Sequence, residues 1–340
     1  MAYTNIDDPS AYFQATTYTG NGDSADDTNA ITNDGNSDLK PDFLWIKRRD
    51  YDNGHQLADS TRGVTKFLGS ETTAAEYTQA GRLASFNTDG FTVQSSSGAF
   101  NAENEPFVAW QWKANGGTTA SNSDGSITST VQANQDAGFS IITYTGNATN
   151  STVGHGLGVA PQVIFNKKRG ATGSWSVWHK EACAGTQLLE LNTNGATVTV
   201  AAIWNSTVPT SSVFSIGTDG QTNSNNTTYI TYAFAEKQGY SKFGKYVGNG
   251  SSDGSFAYTG FKPEFVLVKK VTGTGDWIIT DNARGINAAN PRLYADLADA
   301  EGSAADYIDH LSNGFKIRTS AGSMNTSGGT YIYMAFAENP

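Results

Sequence analysis

The feature that most constrains this chain is a phrase written three times: Pro41-Asp-Phe-Leu-Trp-Ile-Lys47, Pro161-Gln-Val-Ile-Phe-Asn-Lys167 and Pro263-Glu-Phe-Val-Leu-Val-Lys269, at spacings of 120 and 102 residues. The words around it recur in the same order. A Tyr-x-Gly-Asn turn precedes each copy, starting at Tyr18, Tyr144 and Tyr246. An apolar segment follows each: Phe107-Val-Ala-Trp-Gln-Trp112, Tyr229-Ile-Thr-Tyr-Ala-Phe234 and Tyr331-Ile-Tyr-Met-Ala-Phe336. Self-similarity at such a period means one folding unit used three times, each about the size of a small domain.

Within a unit the pattern has a period of two. Val108, Trp110 and Trp112 fall on one face of a strand, as do Ile230, Tyr232 and Phe234, and Ile332, Met334 and Phe336. A strand with one apolar face needs a second layer to cover it. The Pro-initiated segments, such as Phe265-Val-Leu-Val268, are continuous apolar runs suited to the centre of a sandwich, with the proline at the strand start, where a missing N–H costs nothing. Glycine is abundant, 37 of 340 residues, and charged residues are few at 16%, against a usual ~7% and ~25%. These features predict an all-β protein of three tandem antiparallel β-sandwich domains, jelly-roll-like. The first, with its lead-in, is expected at 1–114, a Gly/Ser/Thr/Asn-rich linker at 115–137, the second domain at 138–237 and the third at 238–340. The alternation Ile127, Ser129, Val131, Ala133 offers another reading of the linker, as one strand of the second unit. Units two and three are joined only by Glu236-Lys-Gln-Gly-Tyr240, which predicts a fixed mutual orientation.

A net charge of −10 with no basic block argues against a nucleic-acid surface. No stretch approaches the ~18 apolar residues of a membrane helix. Cys183 is the sole cysteine, so no intramolecular disulfide forms, and it is expected to be a small buried hydrophobe. The opening Met1-Ala-Tyr-Thr-Asn-Ile-Asp-Asp-Pro9 has neither the basic nor the apolar region of a secretory signal.

Two units carry Asp-x-x-Arg-Gly, at Asp59/Arg62 and Asp281/Arg284, a spacing that lets a carboxylate and a guanidinium pair around a turn. The second unit reads His179-Lys-Glu-Ala-Cys-Ala-Gly185 in that place, and the pairing is lost. A motif kept in two of three equivalent places is expected to be a structural brace rather than an acid or an anion site. Asp34-Gly-Asn-Ser-Asp38 opens like a calcium loop, but the sixth and twelfth positions, which need Gly and Glu, hold Leu39 and Trp45. With Asp26 and Asp27 nearby, the loop reads as a solvated turn before a looser oxygen cage. Gly154-His-Gly-Leu-Gly158 lacks the Lys-Ser/Thr of a phosphate loop. The histidines 55, 155, 179 and 310 show no metal spacing, and there is no Gly-x-Ser-x-Gly elbow. No catalytic constellation, cofactor or metal is expected. The aromatics are the better lead: Trp178, His179 and Trp204 are candidates for surface recognition by stacking on sugar rings, whereas Trp175, matched by Trp277, is expected in the core.

Several of these words occur together in a known group. The opening Ala2-Tyr-Thr-Asn-Ile-Asp-Asp-Pro-Ser10, the Tyr-Thr-Gly-Asn-Gly turn, Lys-Pro-Asp-Phe-Leu-Trp-Ile-Lys47, Asp-x-x-Arg-Gly, Asn-x-Asp-Gly-Phe91 and Tyr-Ile-Tyr-Met-Ala-Phe-Ala-Glu338 resemble the repeat-built structural proteins of marine tailed phages and cyanophages, over nearly the whole chain. The resemblance implies a virion component displayed on the particle surface, of the tail-fibre or appendage kind, or alternatively a capsid decoration protein. It implies no enzyme and carries over no catalytic residues. The partners it implies are other virion proteins, further copies of the chain in a homo-oligomer, and a host-surface glycan or receptor, with no nucleic acid and no membrane insertion. Such a protein is assembled in the host cytoplasm and released by lysis, without need of a signal peptide. The competing class is a carbohydrate-active enzyme, a depolymerase, which requires a pair of carboxylates about 5–10 Å apart.

Overall fold

The computed structural model describes residues 6–24, 26–95, 97–285, 287, 291–302 and 307–338. The chain is all-β, in antiparallel sheets. The first unit contains β1 (Phe13–Thr19), β2 (Thr28–Ile31), β3 (Phe43–Arg48), β4 (Gln56–Asp59), β5 (Lys66–Phe67), β6 (Tyr77–Thr78), β7 (Leu83–Phe86), β8 (Phe91–Gln94) and β9 (Pro106–Trp112). The second has β10 (Ala120–Asn122), β11 (Ser129–Asn134), β12 (Phe139–Thr145), β13 (Ser151–Gly154), β14 (Val163–Lys168), β15 (Trp175–His179), β16 (Gln187–Glu190), β17 (Val198–Thr199), β18 (Val213–Ile216) and β19 (Thr228–Phe234). The third has β20 (Ser241–Val247), β21 (Phe256–Tyr258), β22 (Pro263–Lys270), β23 (Ile278–Asp281), β24 (Leu293–Tyr294), β25 (Ile308–Leu311), β26 (Gly314–Ile317) and β27 (Thr330–Ala337). Among the described residues, two short α-helices, α1 (Gly220–Asn223) and α2 (Gly322–Asn325), precede the last strands of units two and three.

Each unit repeats one topology. The last strand lies between the first strand and the Pro-initiated one, giving β1-β9-β3-β4, β12-β19-β14-β15 and β20-β27-β22-β23. Registers match as well: Trp112 stands opposite Phe13 and Phe43, Phe234 opposite Phe139 and Val163, and Phe336 opposite Ser241 and Phe265. A smaller sheet covers one face, β2-β8-β7, β13-β18 or β21-β26-β25. Pro263 begins its strand, whereas Pro41 and Pro161 lie two residues ahead of theirs.

The expected linker is not one. β10 and β11 add to the second unit's main sheet beside β12, and Val131 is buried. The Gln132 carboxamide oxygen accepts the N–H groups of Asn115 and Gly117, and Ser129 Oγ donates to Gly154 O. Polar residues that resemble a loop in composition are therefore tying a strand down.

Why the Pro-initiated segments are apolar throughout follows from what lies on their other face. In the third unit Val266, Val268, Tyr331, Tyr333 and Ala335 pack under the small sheet with Ile308, Phe315 and Ile317. The alternate residues Phe265, Leu267, Ile332, Met334 and Phe336 point the other way, into a cluster that also holds Phe13, Trp45, Trp110 and Trp112 of the first unit and Phe139, Phe165, Tyr232 and Phe234 of the second. The three main sheets thus turn their outer faces to a shared core. At its centre the three register-equivalent residues Trp112, Phe234 and Phe336 meet, with ring centroids 5.6 to 6.3 Å apart. Phe13 stacks on Phe336 at 5.1 Å, and Phe43 on Tyr232 at 4.2 Å, so aromatic contacts cross between units in every pairing. Such contacts contribute about 0.5–1.5 kcal/mol each beyond the burial itself.

The repeated turn has a steric cause. A Cβ on Gly20, Gly146 or Gly248 would meet a backbone oxygen at 2.0, 2.5 or 2.4 Å respectively, so only glycine lets these two chain segments approach. The residue after each glycine is held by a buried asparagine: Asn101, Asn223 and Asn325 accept the N–H groups of Asn21, Asn147 and Asn249 at 3.1, 2.8 and 2.8 Å.

Candidate functional site

The Asp-x-x-Arg pairs sit at junctions between units. Arg62 Nε donates to Asp59 Oδ2 at 2.5 Å and its backbone N–H to Asp59 Oδ1 at 2.8 Å, with both side chains fully buried. Tyr232 of the second unit donates its hydroxyl to Asp59 Oδ2 at 2.7 Å and accepts from Arg62 at 3.0 Å. Arg284 repeats this on Asp281 at 2.7 Å, with Trp110 Nε1 of the first unit donating to Asp281 Oδ2 at 2.9 Å. A glutamate extends each pair across the junction, giving Arg62–Glu76–Arg169 and Arg284–Glu301–Arg49. Burial by itself lowers the pKa of Arg62, but Asp59, Tyr232 and Glu76 around it hold the value above its ordinary one. Cations so enclosed and so fully bonded are not open to an external anion.

The third junction uses different chemistry at the same places. His179 stands where the aspartates do and Ala182 where the arginines do, while Val271 replaces Arg49 and Arg169, and Met334 replaces Trp110 and Tyr232. Met334 has no donor to offer a carboxylate, which explains why the aspartate is lost here together with its arginine. His179 is buried beside Tyr333 O, and burial pushes its pKa down to about 3. Ring N–H groups link all three junctions in one sense around the molecule. Trp175 Nε1 donates to Gly69 O and Trp277 Nε1 to Glu190 O, at 2.8 and 2.9 Å, and His55 Nε2 lies 2.8 Å from Tyr294 O. Three head-to-tail contacts that close on themselves form a ring.

The candidate recognition residues are corrected by burial. Trp178, His179 and Trp204 are 6%, 1% and 2% exposed. Trp178 lies on β15 at the floor of a groove that the turn at Cys183 also lines, His179 in the third junction, and Trp204 donates Nε1 to Gln187 O. Trp175 and Trp277 are buried, as expected of them. Cys183 is buried too, its thiol pushed up to about 11 by that burial. In the Asp-rich loop, Asp27 accepts the N–H groups of Asp23 and Ser24. Among the described residues no group of three His, Cys, Asp or Glu side chains is placed to hold a metal ion. His155 of the glycine-rich turn is buried, with Nδ1 accepting Leu157 N–H.

Sequence reasoning passed over the second residue of each repeated phrase. Asp42 accepts the N–H groups of Ala114 and Gly116, Gln162 that of Glu236, and Glu264 that of Ala15. Asp42 and Gln162 pin the chain as it leaves the first and second units, while Glu264 holds the first strand of the first unit against the third, and the signal was available, since Asp, Gln and Glu are all side-chain acceptors. The terminal lysines were passed over as well: Lys47, Lys167 and Lys269 are fully buried, bonded to backbone carbonyls, and burial lowers each to about 8.

Two cavities open beside these residues. One of about 220 Å³ between the first and third units is lined by Gln14, Asp34, Glu264, Asn282 and Glu338. Burial, with Asp281, Glu338 and Asp34 near, raises the Glu264 carboxyl well above its usual range. Glu264 holds Ala15, and Glu338 is held by Asn282 and Lys262, so these carboxyls bond to the protein. Its counterpart between the second and third units, about 710 Å³, is lined by Gln162, Lys180, Glu236, Lys242 and Tyr258.

A search among curated proteins finds no match. The profile of one family, described as a domain of unknown function (DUF7483), matches residues 8–340 and so spans all three repeats as a single unit. The chain belongs to the DUF7483 family.

Proposed function

We propose that this chain is a non-enzymatic structural protein of a tailed-phage particle, displayed on the virion surface as part of a tail fibre or appendage. The observation that carries this reading is the closed ring. Three of the words that resemble the phage proteins, the Pro-initiated phrase, Asp-x-x-Arg-Gly and the closing apolar segment, build its junctions and shared core, which supports reading the shared sequence as the frame of a rigid body that presents Asn-, Ser- and Thr-rich loops. A body of this kind presents loops to a host-surface glycan or receptor, and many weak contacts on one particle add up through effective concentration. Docking on other virion proteins, or assembly into a homo-oligomer, places it there. A capsid-decoration role is the second reading, favoured by the gathering of the units about one core rather than along a rod.

Mass spectrometry and antibody labelling of purified particles test the assignment. A copy number in small multiples of three or six is expected for an appendage, and hundreds of copies for a decoration protein. Absence from the particle contradicts both. Release of oligosaccharide fragments when the pure protein is incubated with host envelope glycans overturns the non-enzymatic part in favour of a depolymerase.

A further inference from the structure

The cleft between the second and third units stays open where its two counterparts are filled. At the junction of units one and two, Gln132 of β11 occupies the equivalent place, bonding Ser60, the counterpart of Lys180, and Thr61. Between units three and one the loop after β2 does so. Ile31 and Ala257 hold the same place in the repeat, each opposite the phenylalanine of a Gly-Phe turn. Pro41 follows Ile31 by ten residues, however, and Pro263 follows Ala257 by six. The extra length folds over Gln14, whose carboxamide accepts Gly35 N–H and donates to Ser37 O, both at 2.9 Å. Lys242 is the counterpart of Gln14 and lines open space instead, about 710 Å³ against about 220 Å³.

The walls of that space carry two kinds of chemistry. On one side Lys180 and Lys242 flank Glu236, with Lys180 Nζ donating to Oε2 at 3.0 Å and Lys242 Nζ to Oε1. Burial by itself raises the Glu236 carboxyl, but the two ammonium groups hold it below its usual range. Each ammonium spends one of its three donors there and each carboxylate oxygen keeps a lone pair, so donors and acceptors stand side by side at the edge of solvent. On the other side is the ring of Tyr258, 64% exposed. Phe256, 45% exposed, precedes it on the outer face of β21, and its ring leans across Gly314, the residue opposite Tyr258. The counterparts of Phe256 and Tyr258 are Ala30 and Thr32 in the first unit, and Thr152 and Gly154 in the second. At these positions only the third unit sets aromatic rings, and Tyr258 stands in the wall of the open cleft.

We propose that this cleft binds a glycan: one sugar ring stacks its face on Tyr258 and bonds its hydroxyls to Lys180, Glu236 and Lys242, and the next sugar lies over Phe256. The inference rests on the reading of the chain as a virion component that meets a host-surface glycan, and it names the site. A pyranose has the two-sided character that the walls require. Its faces carry C–H groups, and its rim carries neighbouring hydroxyls that donate to a carboxylate and accept from an ammonium. An apolar protein segment would strip water from the Lys–Glu–Lys cluster without replacing it, at a net cost. A nucleic-acid chain also stacks on aromatic rings, but its phosphates would meet a molecule of net charge −10.

The test screens the full chain on an array of purified bacterial surface oligosaccharides, neutral and acidic, and titrates the best of them by calorimetry. Saturable binding is expected. Tyr258→Ala and Lys242→Ala are each expected to weaken it about tenfold, whereas Tyr258→Phe, which keeps the ring face, is expected to stay within about threefold of the parent. Tyr51→Ala, at a tyrosine of the first unit that is 61% exposed, is expected to change nothing. These side chains are exposed or half-exposed, so the variants keep the fold. Absence of binding at about 1 mM oligosaccharide overturns the proposal, while the labelling of particles still decides the virion assignment by itself. Binding that Tyr258→Ala and Lys242→Ala leave unchanged also overturns it, and leaves glycan recognition to another place on the molecule.

Discussion

Asp296 is the residue whose place in the repeat says most about its cost. Its Oδ1 accepts Trp277 N–H at 2.9 Å, as Asn192 Oδ1 accepts Trp175 N–H at 2.7 Å and Glu71 accepts His55 N–H at 3.2 Å. The second unit therefore does the same work with a neutral amide. Asp296 Oδ2 is buried without a partner, and burial raises the carboxyl to about 7. A raised folded-state value means that the protonated acid is preferred on folding, so its contribution is full below the unfolded value of about 4 and is lost as pH rises to about 7. The buried histidines act in the opposite sense: His55 and His179, lowered to about 3, take stability away as pH falls below about 6.5. The lysines lowered to about 8 add stability as pH rises from there toward about 10.5. Comparing Asp296→Asn with the parent separates the carboxylate from both. Denaturant unfolding is expected to show the variant more stable by roughly 2–4 kcal/mol at pH 8 and equal to the parent near pH 4. A variant less stable at pH 8 contradicts the account of this site.

At the scale of elements, the junction chemistry makes a directional prediction. Arg284→Ala leaves the Asp281 carboxylate buried with its cation gone and is expected to cost about 3–5 kcal/mol by chemical denaturation. Adding Asp281→His, which reproduces the second unit's pair of His179 and Ala182, is expected to recover a large part of that loss. If the double variant is the less stable of the two, the third junction's chemistry is not transferable. A second prediction concerns the repeated turn: Gly248→Ala places a methyl 2.4 Å from Thr326 O and is expected to cost about 1–3 kcal/mol. Much at this scale was legible in the sequence. The repeated words gave the paired strands, and the two Asp-x-x-Arg spacings gave ion pairs that the structure places at 2.5 and 2.7 Å. Other features were not legible, for physical reasons. A period of two shows that Trp112, Phe234 and Phe336 share a face but not what covers it, and most of the cover comes from other units, Trp112 meeting Phe234 and Phe336 from more than a hundred positions away. Trp178, His179 and Trp204 looked free to recognise a ligand because aromatic type does not reveal burial. The segment 115–137 looked like a linker because glutamine and serine serve a strand edge as readily as a loop.

For the molecule as a whole, the continuous run Phe265-Val-Leu-Val268 already signalled two buried faces, while a two-layer sandwich accounts for only one. The three outer faces supply the other cover for one another, which makes the units parts of one cooperative body. Truncating its centre by Trp112→Ala is expected to lower the stability of all three units together, by about 3–5 kcal/mol, and amide exchange should report the loss in the strands of each. The most direct measurement of the central claim is differential scanning calorimetry of the intact chain. The account predicts a single transition whose calorimetric enthalpy equals its van't Hoff enthalpy. Two or three separable transitions, with a calorimetric enthalpy two to three times the van't Hoff value, would mean that the repeats fold as independent sandwiches and would contradict it.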